Sequence, residues 1–386
     1  MKRAAFLGAA GAAALAARAS AQVPINPVQI ARQLTIGVNV PLSGALGQFG
    51  AQVVEGVKAA IDESNMLTAL SGTVFGIRPL DDQNSASISM GNVSVAAADQ
   101  TIVGIVGNLT ADVTLATLTQ YANNGFAVIV PSVHADALTQ RGYHNIYRLP
   151  TRDDVAGRLF ASTIFRRQPS TFALAVTLDG DYGPGVARGF VQQAKADRRN
   201  VDVVTLPVNA FDPAGAARAI LARDADYLFL CGTVAQLGPI IPALASAGYN
   251  GLYGLSDGFY TQDTITKYGS KLGNAIVYGP LPPLARATGI FQQLADLRRE
   301  VSSVTALIAY GYAAAQIVIQ ASQRTNALTR YSLLSTMQMQ GGFNTLVGPF
   351  SFDLNGDSLL PNLYFFKISG TTFDYVEPAI RNGFIV

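Results

Sequence analysis

The chain has one cysteine and two histidines in 386 residues, and only 13% of it is charged. A single cysteine, Cys231, excludes an intramolecular disulfide. Two histidines, one cysteine and no clustered carboxylates leave little material for hydrolytic chemistry, and no metal or cofactor is expected. H-E-x-x-H, P-loop and G-x-S-x-G motifs are all absent. No run of like charge marks a tail, and no basic field invites nucleic acid.

What is present begins with the first 22 residues. Lys2 and Arg3 precede an apolar stretch that ends in Ala19-Ser20-Ala21 before Gln22. This is the layout of an export signal cut after Ala21, too short and Ala-rich for a membrane anchor. The pairing Lys2-Arg3 loosely resembles a twin-arginine signal, but the second arginine is missing, so general secretion is the expected route. No cysteine stands at the cut for lipid attachment, so the mature protein is expected free in the periplasm. Without Lys2, Arg3 and Arg18, the 27 basic residues fall to 24, against 25 acidic ones.

Beyond that segment, strands and helices alternate. Leu34 to Val40, Thr101 to Val106 and Ala127 to Val130 read as strands; Gln52 to Asn65 and Val113 to Asn123 read as helices. From Thr151 the pattern restarts. Helices are expected to Arg166 and over Val186–Lys195, Pro213–Ala222 and Ala235–Ala247. Strands are expected over Phe172–Leu178, Val201–Leu206, Tyr227–Leu230 and Gly251–Leu255. Strands apolar throughout and separated by helices predict an α/β protein of two doubly wound parallel-sheet lobes. Cys231 follows the apolar run Tyr227-Leu228-Phe229-Leu230 and reads as a buried strand thiol. Beyond Gly279 helices dominate from Thr288 to Gln338. In Val304–Ala321, Tyr310, Tyr312 and Gln316 interrupt the apolar run, making it a core helix and not a membrane span. Asn355-Gly356 between Phe350-Ser351-Phe352-Asp353 and Leu363–Ile368 predicts a hairpin. A calcium-loop reading of Asp353, Asn355 and Asp357 lacks the distal Glu ligand.

A series of motifs then stands out. Ile36-Gly37-Val38 leads into Pro41-Leu42-Ser43-Gly44 and Gln48-Phe49-Gly50. Val103-Gly104-Ile105-Val106-Gly107 and Val130-Pro131-Ser132 come next, then Leu138-Thr139-Gln140-Arg141-Gly142-Tyr143. Asp181-Tyr182-Gly183 and Gly348-Pro349-Phe350-Ser351-Phe352-Asp353 complete the order. In this order and spacing the chain, from about Leu34 to Val376, resembles the periplasmic solute-binding proteins of the branched-chain amino acid (Leu/Ile/Val-binding) type, which serve ABC importers. The resemblance implies the type I periplasmic binding fold, with two lobes crossed three times by the chain and ligand held between them. The signal peptide would be 1–21. The first lobe would take 34–147 and 279–347, and the second 148–278 and 348–386. The partners implied are a small-molecule ligand and an inner-membrane permease, the protein itself being a monomer.

The same resemblance implies ligand-binding positions. In the first lobe they are Ser43, Phe49, Asn108, Thr110, Ala111, Ser132 and His134; in the second, Tyr182, Thr233 and Asp257. Two positions depart from the family pattern: Ala111 stands where a Ser holds the ligand carboxylate, and His134 where a Thr does. Thr110 and Ser132 stand beside them as replacement hydroxyls. Asp257 takes the place of the acidic residue that meets the ligand ammonium, one methylene shorter than Glu. Tyr182 matches the aromatic that closes over the ligand, and Phe49 the aromatic wall opposite. A His134 ring nitrogen on the ligand would make affinity respond to pH.

Three of these positions, and Asp112 beside them, also have a plain structural reading. Asp257 before Gly258 reads as a turn residue, Phe49 as core packing, His134 as a cap or packed ring, and Asp112 as the cap of a helix starting at Val113. The ligand expected is an amino acid or amino-acid-like compound, with aliphatic or aromatic carboxylates as the alternative. A sensory receptor of the same fold is a second alternative. An exported enzyme is a distant one, resting on the loose G-x-G-x-x-x-G of Gly183, Gly185 and Gly189.

Overall fold

The structure, a computed structural model, describes residues 32–67, 73–169, 171–180, 182–209, 211–282, 305–324, 329–339, 341–360, 362–381 and 384–385. The expected signal segment and the expected helix around 288–304 lie outside the described residues. Five parallel strands form the first sheet: β1 (Arg32–Val40), β2 (Thr73–Asp81), β3 (Ile102–Gly107), β4 (Ala127–Val130) and β5 (Ile146–Arg148), in the order β2-β1-β3-β4-β5. They are linked by α1 (Gly47–Leu67), α2 (Ala86–Ala98) and α3 (Ala111–Asn123). The chain then enters a second sheet through α4 (Asp153–Arg167). This sheet holds the parallel strands β6 (Ala173–Leu178), β7 (Val201–Leu206), β8 (Tyr227–Cys231), β9 (Leu252–Leu255) and β10 (Ile276–Gly279). Its helices are α5 (Pro184–Ala196), α6 (Pro213–Leu221), α7 (Val234–Leu237), α8 (Ile240–Ser246) and α9 (Gln262–Tyr268).

Two more helices, α10 (Ala306–Gln323) and α11 (Arg330–Gln338), return to the first sheet with a small antiparallel pair, β11 (Phe343–Thr345) and β12 (Gly348–Phe350). The antiparallel hairpin β13 (Tyr364–Ser369) and β14 (Thr372–Pro378) then extends the second sheet beside β10, in the order β14-β13-β10-β9-β8-β6-β7. Central strands are buried on both faces and feed opposite cores, with strict alternation interrupted in β3 where its register with β1 shifts. Val103 and Val106 pack with Leu34 and Ile36, while Ile102 and Ile105 pack with Val128 and Phe126. Leu174 and Val176 face one core of the second sheet, Ala173 and Ala175 the other. That double covering is why the strands read as unbroken apolar runs.

Each sheet is covered by a close helix crossing that depends on glycine. A Cβ on Gly56 of α1 would lie 2.0 Å from the Ile308 carbonyl oxygen of α10. On the second sheet, a Cβ on Gly157 of α4 would lie 2.1 Å from the Val186 oxygen, and one on Gly189 of α5 2.0 Å from the Asp154 oxygen. Two glycines of the Gly183–Gly185–Gly189 pattern serve helix packing, Gly185 against the Asp153 side chain and Gly189 against the α4 backbone, while Gly183 turns the chain at φ +102° against the Cys231 oxygen. The apolar helix α10 is buried in the first core, and no helix among the described residues is long and apolar enough to cross a membrane.

Four expectations need correction. The single helix over Ala235–Ala247 is broken into α7 and α8 at Gly238-Pro239, where Pro239 has no N–H for the ladder. Asp112 is not a cap: α3 starts at Ala111 with Thr110 at the N-cap, and Asp112 is exposed in the first turn. The Asn355-Gly356 turn joins no pair of strands; it closes a single bridge, Phe352 to Ser358, and docks on the edge of β5. There the Arg148 N–H donates to the Gly356 oxygen at 2.9 Å, and a Cβ on Gly356 would lie 1.7 Å from the Ile146 oxygen. The last crossing falls later than Val347, because Phe350 and Phe352 pack in the first core while Leu363 and Phe365 pack in the second.

Replacing Gly189 with Ala should force α4 and α5 apart and cost about 1–3 kcal/mol, the range for overpacking. The midpoint of urea unfolding measures it, and an unchanged midpoint would show that the crossing yields freely.

Candidate ligand cleft

In both sheets the strand order reverses beside the first strand, at β1/β3 and at β6/β8, which places a crevice at the carboxyl ends of the strands. Every site residue expected from the sequence follows such an end. Ser43 and Phe49 follow β1; Asn108, Thr110 and Ala111 follow β3; Ser132 and His134 follow β4; Tyr182, Thr233 and Asp257 follow β6, β8 and β9. The structure brings three of them together. The Tyr182 hydroxyl donates to the Asp257 carboxylate, and the Gly258 N–H lies 3.4 Å from the same hydroxyl. His134 Nε2 faces the other carboxylate oxygen at 3.9 Å, and the His134 and Tyr182 rings meet edge-on at 6.4 Å. His134 Nδ1 lies 3.0 Å from the Thr151 oxygen, which orients the ring. Burial, followed by the neighbouring carboxylates of Asp257 and Asp153, holds the Tyr182 phenol well above its ordinary value, so it stays a donor.

The others divide by what their side chains already do. Asn108 is fully buried, and its amide donates to Asp82 Oδ2 at 2.9 Å and Ser89 Oγ at 2.8 Å. Its oxygen accepts from Thr117 and Tyr121, both at 3.2 Å. This side chain is engaged on all sides as a brace beneath the cleft. Thr233 caps α7 in a reciprocal capping box with Gln236, a second structural role. Ser132 donates to the Leu109 oxygen at 2.7 Å and ties the β3 and β4 loops together. Thr110 donates to Asn84 Oδ1 at 2.7 Å. Ala111 opens α3, whose first N–H groups have no side-chain cap. Ser43 and Phe49 stand exposed on the first-lobe side. Cys231 is buried at the end of β8, and burial pushes its thiol well above the ordinary value, away from nucleophile chemistry.

Sequence reasoning missed several groups around this cluster. Asp153 opens α4, is only 3% exposed, and lies against Gly185 and His134. Asp136, in the loop after β4, is bound by Arg188 of α5, an ion pair that joins the two sides of the cleft. Thr151, Tyr278, Pro280 and Asn362 close the hinge end. The resemblance pointed to Asp257 and not to Tyr278, although Tyr278 lies near the carboxyl end of β10, where cleft residues gather; Asn362 lies before a strand and gives no such signal. With His134 and Asp257 these groups enclose a cavity of about 10 Å³, room for one water molecule. An amino acid enters only if the two sides part. Asp353 and Asp357 are engaged by backbone N–H groups and arginines, and no metal-binding cluster exists among the described residues.

Burial, opposed by His134 and reinforced by Asp257 and Asp136, raises the Asp153 carboxyl from 3.8 to about 7. Between those values the folded chain holds a proton that the unfolded chain has released. Stability therefore falls as pH rises from about 4 to 7 and levels off above. Thermal melts of the unliganded protein should show this fall, and Asp153→Asn should flatten it; a variant as steep as the parent would assign the fall elsewhere.

The family model described as "Periplasmic binding protein" matches residues 33–372. The Leu/Ile/Val-binding protein homolog 1 of Brucella abortus (strain 2308) is 24% identical over 370 residues, covering 95% of this chain and 96% of that one. Among solved structures, the leucine binding protein LivK of Thermotoga maritima MSB8 superposes with a TM-score of 0.76 at 18% identity, over 89% of this chain and 98% of that one. A solute binding protein of an ABC transporter from R. palustris, in complex with benzoate, reaches 0.71 at 17% identity, over 90% and 96%. The two-sheet architecture, the cleft at the strand ends and the match over most of its length agree: the chain belongs to the periplasmic binding protein family, with the type I fold.

Proposed function

We propose that this protein captures a small amino-acid-like solute by closure of two lobes and delivers it to an ABC importer. The observation that carries the reading is Asp257. It projects from the end of β9, is held by Tyr182, and faces His134 across the cleft, while no Lys or Arg among the described residues lines the cavity. A ligand ammonium is the natural partner of that carboxylate. The uncapped first turn of α3 and the loops tied by Ser132 offer backbone N–H groups to a ligand carboxylate. A zwitterion bridging the two sides would bind the closed form better than the open one and so shift the population toward closure. The Arg188–Asp136 pair supports the closed form from outside the cleft.

The relatives named for leucine, isoleucine and valine support an amino-acid ligand. The delivery step implies an inner-membrane permease as partner, a monomer as the working form and the periplasm as its place, with the leader removed after Ala21. A second reading, an aliphatic or aromatic carboxylate as ligand, is favoured by His134 at the centre of the site and by the benzoate-bound R. palustris protein.

Asp257→Asn separates the two. It should weaken an ammonium-bearing ligand by about 1.5–3 kcal/mol, the range for a hydrogen bond to a charged group. Calorimetry on the ligand found by a thermal-shift panel of amino acids and carboxylates measures it. Equal affinity in parent and variant would decide for the carboxylate class.

A further inference from the structure

We infer that the Tyr278 hydroxyl and the Asn362 amide form a second polar subsite at the hinge end of the cleft. It selects a zwitterion whose side chain ends in a hydroxyl or carboxamide over the apolar isostere. The inference rests on the amino-acid reading of the same cleft. Tyr278 sits near the end of β10 and is 3% exposed; Asn362 precedes β13 and is 9% exposed. Both line the cavity that holds His134 and Asp257. Neither Tyr278 Oη nor Asn362 Nδ2 has a hydrogen-bond partner among the described residues.

An unpartnered buried donor is a liability that apolar residues of the same shape would avoid. Phenylalanine would fill the place of Tyr278, and leucine that of Asn362. Burial, followed by Tyr182, Asp257 and Asp153, keeps the Tyr278 phenol protonated and able to donate. Thr151 donates to the Asn362 main-chain oxygen at 3.3 Å, which fixes the backbone that carries the amide. Two fixed donors thus stand beside the carboxylate that meets the ammonium. A methyl group placed against them leaves both unpaired, whereas a hydroxyl or carbonyl oxygen accepts from them. Sites built this way discriminate strongly, because the analogue without the polar group strands the site's own donors.

The test pairs isosteres: threonine against valine, and asparagine against leucine, with dissociation constants from calorimetry and melting temperatures with and without ligand. The parent should bind the polar member of at least one pair about tenfold more tightly or better. Tyr278→Phe and Asn362→Leu should each remove most of that preference while affinity for the apolar member holds. The unliganded melting temperature of both variants should stay level or rise, since an unpaired polar group is lost. Equal parent affinity within both pairs overturns the inference and leaves the amino-acid reading standing. Variants that melt lower and lose both members equally overturn it too, by showing a structural role. A parent that no amino acid stabilises overturns the amino-acid reading and this inference with it.

Discussion

The buried ion pair between Arg148 and Asp357 holds the hinge together. Arg148 is wholly buried at the end of β5, and its Nε donates to Asp357 Oδ1 at 2.8 Å. The same guanidinium donates to the Ala135 oxygen and the Thr139 hydroxyl, and Arg152 reaches Asp357 Oδ2 at 2.9 Å. One cluster therefore fixes the loop that carries His134, the first crossing between the sheets, and the turn ahead of the last crossing. Burial pulls the guanidinium below its ordinary value and Asp357 opposes that, so the charge is tolerable only because its partners are complete. These bonds tie the loop after β4 and the segments that pass between the two sheets to one point.

Around that anchor the site is made of short loops on stiff supports. The strand ends are rigid because each sheet is buried on both faces, and the helices can cover them closely because glycines stand at the crossings. Beneath the first-lobe loops, Asn39, Ser89, Asn108 and Tyr121 form a buried network in which each side chain's polar groups have partners. Such satisfied networks hold a loop without using the groups that face the cleft. Hydroxyls spent in this way, as at Thr233 and Ser132, are structural even though they stand at the rim. Asp257 and His134 keep partners within the cluster, whereas Tyr278 Oη and Asn362 Nδ2 have none among the described residues.

Much of the fold was legible along the chain. Apolar runs separated by helical periodicity marked most strands of both parallel sheets, and β4 and β7 fall within their expected bounds. The edge strand β2 and helix α2 gave no such signal: β2 is half exposed and contains Gly76 and Pro79, while α2 is rich in serine and small residues. Asn355-Gly356 has the composition of a hairpin but serves as a plug on the edge of β5. In the site, the position of each residue at a strand end was readable, whereas what each side chain bonds was not. Asn108 and Asp257 look equally polar in sequence, and one is a buried brace while the other faces the cleft.

The sequence by itself determined the two-sheet α/β architecture and the set of loops from which a site would be drawn. It did so because periodicity and turn chemistry are local and follow from residues a few places apart. Only the tertiary structure decided which polar groups are satisfied. That depends on partners far away along the chain: Asp357 for Arg148, Thr151 for His134, Tyr182 for Asp257. A hydrogen bond is short and directional, so whether a group is occupied or free to meet a ligand is settled only when those distant segments pack.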